Sequence, residues 1–429
     1  MSKDKLLMIV NEFPPTGASS VQRPLKFAKY AVKAGWEVHI IAPKKPVRKV
    51  LDYSLLQEIP PETKVYRVAG LGIKNPEENK MVDANFEDTA PQSKIIKAFW
   101  RFLKLINDFL FPYDKQIGWM PFAYWKAVKL INKYKIRNIY ITAYPYSAFL
   151  VGIALKKKYK DRIFWIADYR DSWQFGPLLD KMILPFRFKK ICRTDDRVLV
   201  TCDAAVFVTP ESRNIYLHKH PWLDKKSYYI PNGYDEDDFE GVIPKKFDCL
   251  TFVYMGKLTR VYGNPISLLE ALKECNLPKY QVIHIGSISA AFLQDIQRID
   301  KGVYKFCGYK NHREAISYIL GADINLIFLN DDPISTFSFT GKLFELLRAG
   351  KPILAMGPKK CIIEDLLKET GAGKYAWIKD KDQIKMKINE LLTDTSSFSI
   401  QTDIIKQYSR AETCKTLLSI YEKGQISNS

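Results

Sequence analysis

The chain is poor in histidine and has no ordered cysteine pattern. Its five histidines are His39, His218, His220, His284 and His312. His218 and His220 would share one face of a strand, but no third ligand accompanies them, so no metal site is expected. The seven cysteines, Cys192, Cys202, Cys249, Cys275, Cys307, Cys361 and Cys414, are scattered, odd in number and without a CxxC pair. That argues against a disulfide framework or a zinc ribbon and points to a reducing compartment. Long apolar runs are also missing. No stretch of about 18 uncharged apolar residues exists, so no transmembrane helix is expected. Met1 to Lys5 lead straight into a short apolar run without a signal-peptide core, and a cytoplasmic location is expected. Acid is scarce relative to base: 47 Asp and Glu face 66 Lys and Arg, for a net charge of +19. Such a field favours polyanions: nucleic acid, an anionic membrane surface, or phosphorylated substrates. A nucleic-acid partner is not expected, because no helix-turn-helix, zinc-finger or RNP pattern accompanies the charge.

A chain of 429 residues with 47% apolar residues has material for two cores. Leu6–Val10 reads as a buried parallel strand, followed by a turn-rich loop over Asn11–Ser20 and a helix to about Ala34. Glu37–Ala42 is the next strand, which completes a βαβ opening. Further strands are expected at Asn138–Thr142, Ile163–Ala167, Ala204–Thr209 and Tyr228–Ile230. In the second half they fall at Leu250–Met255, Gln281–Ile285, Val303–Cys307, Ile324–Leu329 and Pro352–Met356. Helices such as Pro265–Cys275 and Lys342–Ala349 lie between them. Strand–helix alternation throughout predicts an α/β chain with two open parallel sheets. The Pro231-Asn232-Gly233 turn marks the boundary. It separates a first domain over 1–232 from a second over 233–401, and the final helical segment over 402–429 returns to the first.

Residues 94–111 depart from a plain sheet protein. Lys94, Lys97, Arg101, Lys104 and Asp108 form one narrow polar stripe on an otherwise apolar and aromatic helix. The pattern fits an anionic membrane interface, or a core-packed helix with one solvated edge.

In doubly wound sheets ligands gather at the carboxyl ends of strands. After the first strand, Gly17 and Ala18 let a phosphate approach the backbone, with Ser19 and Ser20 as candidate helix caps. No GxGxxG is present and no acid closes a dinucleotide pattern, which argues against a nicotinamide enzyme. Asp168, Arg170 and Asp171 end another strand. Buried together, they need either a catalytic role or mutual pairing as a structural ion pair. Lys257 and Arg260 follow a strand of the second half and suit a diphosphate, or simply a solvated turn. Thr340, as a cap, leads into Gly341, Lys342 and Glu345. There the backbone N–H groups suit a phosphate and the carboxylate a ribose diol, while the alternative is an intrahelical ion pair.

Taken in order, these residues resemble the family 4 type of GT-B glycosyltransferases over nearly the whole chain. The resemblance rests on Pro14-Pro15 with Gly17, Asp114 with Gly118-Trp119, Ala143-Tyr-Pro-Tyr-Ser147 and Asp168-Tyr-Arg170-Asp171-Ser-Trp173. It rests further on Ile230-Pro-Asn-Gly-Tyr-Asp235, Gly341-Lys342-Leu-Phe-Glu345 and Gly350-Lys-Pro-Ile-Leu354. It implies a GT-B fold, two Rossmann-like domains facing across a cleft. It also implies retaining, metal-independent transfer of a sugar from a nucleotide diphosphate sugar, with no cofactor. Donor contacts would come from Gly17, Lys257, Arg260, Thr340, Gly341, Lys342 and Glu345, with Glu345 on the ribose. Asp168, Arg170 and Asp171 are the catalytic candidates. Three positions depart from the family's pattern: Lys257 replaces its usual arginine, Tyr262 stands at its second cation with Arg260 as the substitute, and Phe337 stands where a glutamate is common. A glycan or lipid-linked acceptor is expected, with residues 94–111 on an anionic membrane. The rival readings are a sugar-nucleotide epimerase and a non-catalytic relative.

Overall fold

The computed structural model describes residues 4–46, 51–71, 113–114, 116–174, 184–259, 263–300, 302–393 and 400–426. The helix expected over 94–111, Arg260 and Tyr262 lie outside the described residues. The chain divides into two compact units, Met1–Pro231 with Cys414–Ser429, and Asn232–Thr413.

The first unit is built on seven parallel strands in the order β3-β2-β1-β4-β5-β6-β7. They are β1 (Lys5–Ile9), β2 (Glu37–Pro43), β3 (Lys64–Val68), β4 (Asn138–Ala143), β5 (Phe164–Tyr169), β6 (Ala204–Phe207) and β7 (Ser227–Tyr229). The inner strands are largely apolar because both sheet faces are covered, with His39, Asn138, Thr142 and Asp168 as buried polar exceptions. In β1, Leu7 and Ile9 point into one core, and Leu6 and Met8 into the other. The first core is covered by α2 (Met120–Tyr134), α3 (Ala148–Tyr159) and α4 (Pro185–Thr201), with Tyr216 of α5 (Pro210–Lys219). The opposite face is covered by α1 (Ser19–Lys33) and by the end of the chain. There Cys414, Leu417, Leu418 and Tyr421 pack on the α1 core residues, and the Tyr421 hydroxyl donates to Ile139 O at 2.8 Å.

The second unit carries six parallel strands in the order β10-β9-β8-β11-β12-β13. They are β8 (Leu250–Leu258), β9 (Tyr280–Ile288), β10 (Tyr304–Phe306), β11 (Ile324–Phe328), β12 (Ile353–Gly357) and β13 (Gly373–Trp377). The order reverses between β8 and β11, and such a switch point opens a crevice at the carboxyl ends of the strands. The helices are α6 (Ile266–Glu274), α7 (Ala290–Ile299), α8 (His312–Gly321), α9 (Leu343–Ala349), α10 (Ile362–Thr370) and α11 (Lys381–Thr393).

The final segment differs from the helical segment over 402–429 expected to return as a whole to the first domain. It is two helices, α12 (Thr402–Lys406) and α13 (Arg410–Ile426). Between them Ser409 bridges to Tyr234, and Tyr234 N donates to Tyr408 O at 3.1 Å. Ile405 is buried in the second core and Tyr408 packs against Phe344, so residues 402–413 belong to the second unit.

Candidate functional site

At the carboxyl ends of the first sheet, the Asp168–Asp171 motif divides into two kinds of residue. Asp168 is fully buried. It accepts a two-pronged pair from Arg23, Nε to Oδ2 at 2.9 Å and Nη2 to Oδ1 at 2.8 Å. The Tyr140 and Thr142 hydroxyls add bonds at 2.6 and 2.8 Å. Burial alone would raise this carboxyl, but Arg23 and the two hydroxyls overcome it and hold the group below the ordinary carboxylate range. Arg23 also donates to Pro231 O and Ile230 O. Asp168 is therefore enclosed and saturated, and a ligand surface does not reach its oxygens. The expected pairing within the motif is replaced by a partner 145 residues away.

Arg170 turns its guanidinium onto three backbone carbonyls, Ala143 O at 3.0 Å, Ser20 O at 2.6 Å and Tyr144 O at 3.2 Å. It ties the ends of β4 and β5 to the start of α1. Asp171 is exposed, and its carboxyl is raised, chiefly by the desolvating protein around it. Arg170 opposes that shift, while Glu12 and Asp168 add to it. Of the three catalytic candidates, Asp171 is the one with its side chain open to solvent. The following loop is well anchored. Trp173 N donates to the Tyr216 hydroxyl at 3.1 Å, and Tyr216 donates in turn to buried Asp195 at 2.8 Å.

Gly17 lies partly open in the loop before α1. The helix is capped by Ala18 without a side-chain bond, so neither Ser19 nor Ser20 is the cap. Ser20 instead hydrogen-bonds Glu12. Nearby, Asp114 accepts the Ser147 N–H and hydroxyl at 2.8 and 2.6 Å. Asn11, two residues past the end of β1, is 3% exposed, and neither its amide oxygen nor its nitrogen has a partner. A buried amide without partners costs about 1–3 kcal/mol, so it marks a place where a hydroxyl or a water would be stabilised.

The second unit brings together two motifs that lie far apart in sequence. The Lys342 ammonium donates to Met255 O at 2.8 Å, which joins the start of α9 to the end of β8. Burial lowers its pKa to about 8, with Glu345 opposing. Glu345 lies on α9 with its side chain 14% exposed, and desolvation raises its carboxyl. His312, Lys342 and Arg410 oppose that shift, whereas Asp238 adds to it. His312 Nε2 stands 3.8 Å from Glu345 and 3.2 Å from Asp238. Lys257 is exposed at the end of β8. Gly256 and Gly286 pair at the ends of β8 and β9, where a Cβ on Gly286 would stand 1.9 Å from Gly256 O. A Cβ on Gly256 would likewise stand 2.4 Å from the Tyr254 hydroxyl, so both glycines are required by close packing of the strand ends.

Thr340 is not a side-chain cap. Lys342 occupies the cap position of α9, and Thr340 serves through its carbonyl, which accepts from Leu343 N at 3.2 Å. Phe337 sits half-buried in a short 3₁₀ turn. His39 and His284 are satisfied core residues. His39 contacts Glu37 and Tyr66, and His284 contacts Tyr304 and Gly256 O. No cluster able to hold a metal occurs among the described residues.

Sequence reasoning missed Arg23, Asp238, His312 and Arg410. Arg23 left no periodic signal, since at helical spacing it falls opposite the apolar stripe of Val21, Leu25 and Ala28. The other three are brought to Glu345 by tertiary folding and had none.

No family model matches the sequence, and no curated protein matches it. Solved structures do match. A sucrose-phosphate synthase from Thermosynechococcus elongatus superposes with a TM-score of 0.61 at 14% identity, over 100% of both chains. Anabaena Alr3699/HepE in complex with UDP-glucose gives 0.62 at 13% identity, over 98% of this chain and 99% of that one. A putative UDP-N-acetylglucosamine 2-epimerase from Listeria monocytogenes gives 0.55 at 12% identity, over 100% of this chain and 98% of that one. The fold is α/β, two Rossmann-like units with parallel sheets of seven and six strands, the GT-B architecture that these structures share.

Proposed function

We propose that the protein is a glycosyltransferase that moves a sugar from a nucleotide diphosphate sugar to a glycan or lipid-linked acceptor at an anionic membrane surface. The observation that carries the donor half is the Lys342–Met255 contact, which gathers Gly256, Lys257, Gly341, Lys342 and Glu345 at one end of one sheet. In this reading Glu345 accepts from the ribose hydroxyls. Lys257 and Lys342 neutralise the diphosphate as the bond to the sugar breaks, in the role a metal ion plays elsewhere. Arg260 adds to the same charge and Thr340 closes the turn, while Gly17 on the first unit offers its backbone to a phosphate. Transfer is retaining and needs no cofactor. On the first unit, Asp171 is the acid available to an acceptor, Arg170 sets the strand ends around it, and Asp168 acts from behind as an anchor. Asn11 offers its unpartnered amide to an acceptor hydroxyl. The enzyme works in the cytoplasm against the membrane in bacterial surface polysaccharide synthesis, as a family 4 relative.

The fold alone does not separate a transferase from an epimerase, because a protein titled as an epimerase shares it. The transferase reading is favoured by the histidines. His39 and His284 are held in the cores, His220 contacts Asp196 and His312 is engaged by two carboxylates, which leaves four of the five histidines poorly placed for proton transfer at a sugar carbon.

The test is a thermal-shift screen against UDP, GDP, ADP and their sugar conjugates, with Glu345→Ala as control. A nucleotide at about a hundred times its dissociation constant adds about 2.7 kcal/mol. A shift with one nucleotide, absent in the variant, supports the donor site. Silence across the panel refutes it, and epimer formation without acceptor refutes transfer.

A further inference from the structure

The first unit presents a cationic, aromatic-tipped face formed by α2, α3 and α4, which lie side by side on one face of its sheet. Together they carry eleven lysines and arginines and two acids. Neither acid offsets the charge on the outer surface. Asp195 is buried, and Asp196 is bonded to Lys219 and His220.

Two of the helices show the same outward pattern. On α2 the exposed positions Phe122, Trp125, Lys129 and Lys133 recur at steps of three and four, opposite the buried Ala123, Ala127 and Leu130. On α4 the exposed series is Phe186, Lys189, Lys190, Arg193 and Arg197, opposite Ile191, Val198 and Leu199. Each stripe begins near the helix N-terminus in aromatics, Phe122 and Trp125 on α2 and Phe186 on α4, and continues in cations. The aromatic tips are well exposed, Trp125 at 68% and Phe186 at 51%. Core packing explains neither stripe, since both point away from the core.

The topology sets which end the aromatics occupy. Each helix feeds the start of a parallel strand, so its N-terminus lies at the carboxyl end of the sheet. Phe122, Trp125 and Phe186 therefore stand at the end that carries Asp171 and Asn11, and the basic residues run down the flank from there. Aromatic rings settle at the headgroup boundary, and lysines and arginines are drawn to an anionic surface.

We propose that this three-helix face is a docking surface for a bilayer of anionic phospholipid, with the aromatic tips in the headgroup layer beside the acceptor side of the site. The inference deepens the membrane-linked acceptor reading and rests on it for the purpose of the docking. The lipid contact itself stands on the charge and exposure of the face.

The test is co-sedimentation of the full chain with phosphatidylcholine vesicles, with and without about 30 mol% phosphatidylglycerol, at about 50 and 150 mM salt. Three forms are compared: wild type, the quadruple variant Lys129→Gln, Lys133→Gln, Lys189→Gln, Lys190→Gln, and Trp125→Phe. All substitutions are at the surface, and unchanged melting confirms folding. The expected result is binding that needs phosphatidylglycerol, weakens with salt and falls at least ~100-fold in the quadruple variant. Vesicles are expected to blue-shift the indole emission of the wild type, with most of the shift missing in Trp125→Phe. Equal binding by wild type and quadruple variant overturns the proposal. So does binding of single-stranded RNA at about 150 mM salt with no vesicle binding, which would assign the face to nucleic acid. The nucleotide thermal shift, measured without lipid, separates this inference from the transferase reading. A retained shift with no vesicle binding removes only the membrane face, and vesicle binding without any nucleotide shift removes only the transferase.

Discussion

Arg23 and Asp168 form the most consequential ion pair of the first unit, and their disruption has a calculable cost. Both side chains are essentially excluded from solvent, at 1% and 0% exposure. Replacing Arg23 with Met leaves a carboxylate in the core with only the Tyr140 and Thr142 hydroxyls to hold it. Breaking one side of a buried pair costs about 3–5 kcal/mol, because the remaining charge is uncompensated. For a unit of this size that corresponds to a fall of roughly 6–20 °C in melting temperature. Replacing both partners with apolar residues removes the orphan charge, so the double variant Arg23→Met, Asp168→Leu should lose much less than the sum of the two single losses. The pH dependence has a definite sign. Asp168 has a folded pKa below its unfolded value, so the stabilisation is present above the unfolded value near 4 and disappears as pH falls through the folded one. Calorimetry on the wild type, both single variants and the double variant between about pH 2.5 and 7 gives every quantity. A loss under about 1 kcal/mol in Arg23→Met, or strictly additive losses in the double variant, would refute the anchoring argument.

Two further outcomes test the second unit. Lys342, with its pKa lowered to about 8 by burial, should lose its charge as pH rises from 7 to 9. Nucleotide affinity measured by calorimetry should fall across that window in the wild type and stay flat in Lys342→Met, and a flat wild-type profile removes the lysine from the diphosphate site. Gly286→Ala places a Cβ 1.9 Å from Gly256 O at a residue with φ of +138°, so urea unfolding should show a loss of about 2 kcal/mol or more. A neutral result would show that the two strand ends separate easily.

The parallel strands were legible because strands covered on both faces must be apolar along their length. The two strands that escaped reading, β3 and β13, are both edges. Lys64–Val68 is a sheet edge with exposed Lys64 and Arg67, and Gly373–Trp377 begins with Gly-Lys, so neither presents an apolar run. The site was legible in part for a related reason. Residues that follow a strand are placed by topology, so Lys257, Asp171 and the Gly341–Glu345 turn were found at strand ends. What each side chain does there depends on partners that the local sequence does not contain. Asp168 is neutralised from α1, and Glu345 is flanked by residues from three other segments.

Asp168 and Asp171 show how two acids on one loop acquire different roles. They are three residues apart, yet the first points inward along β5 and the second lies past its end. Asp168 meets a guanidinium and two hydroxyls and stays ionised below the usual range. Asp171 has no comparable donor set, and its nearest cation, Arg170, spends its N–H groups on three carbonyls. Its carboxyl is raised instead. The two acids thus differ by environment: Asp168 fixes the geometry of the strand end, and Asp171 stays open to solvent past it.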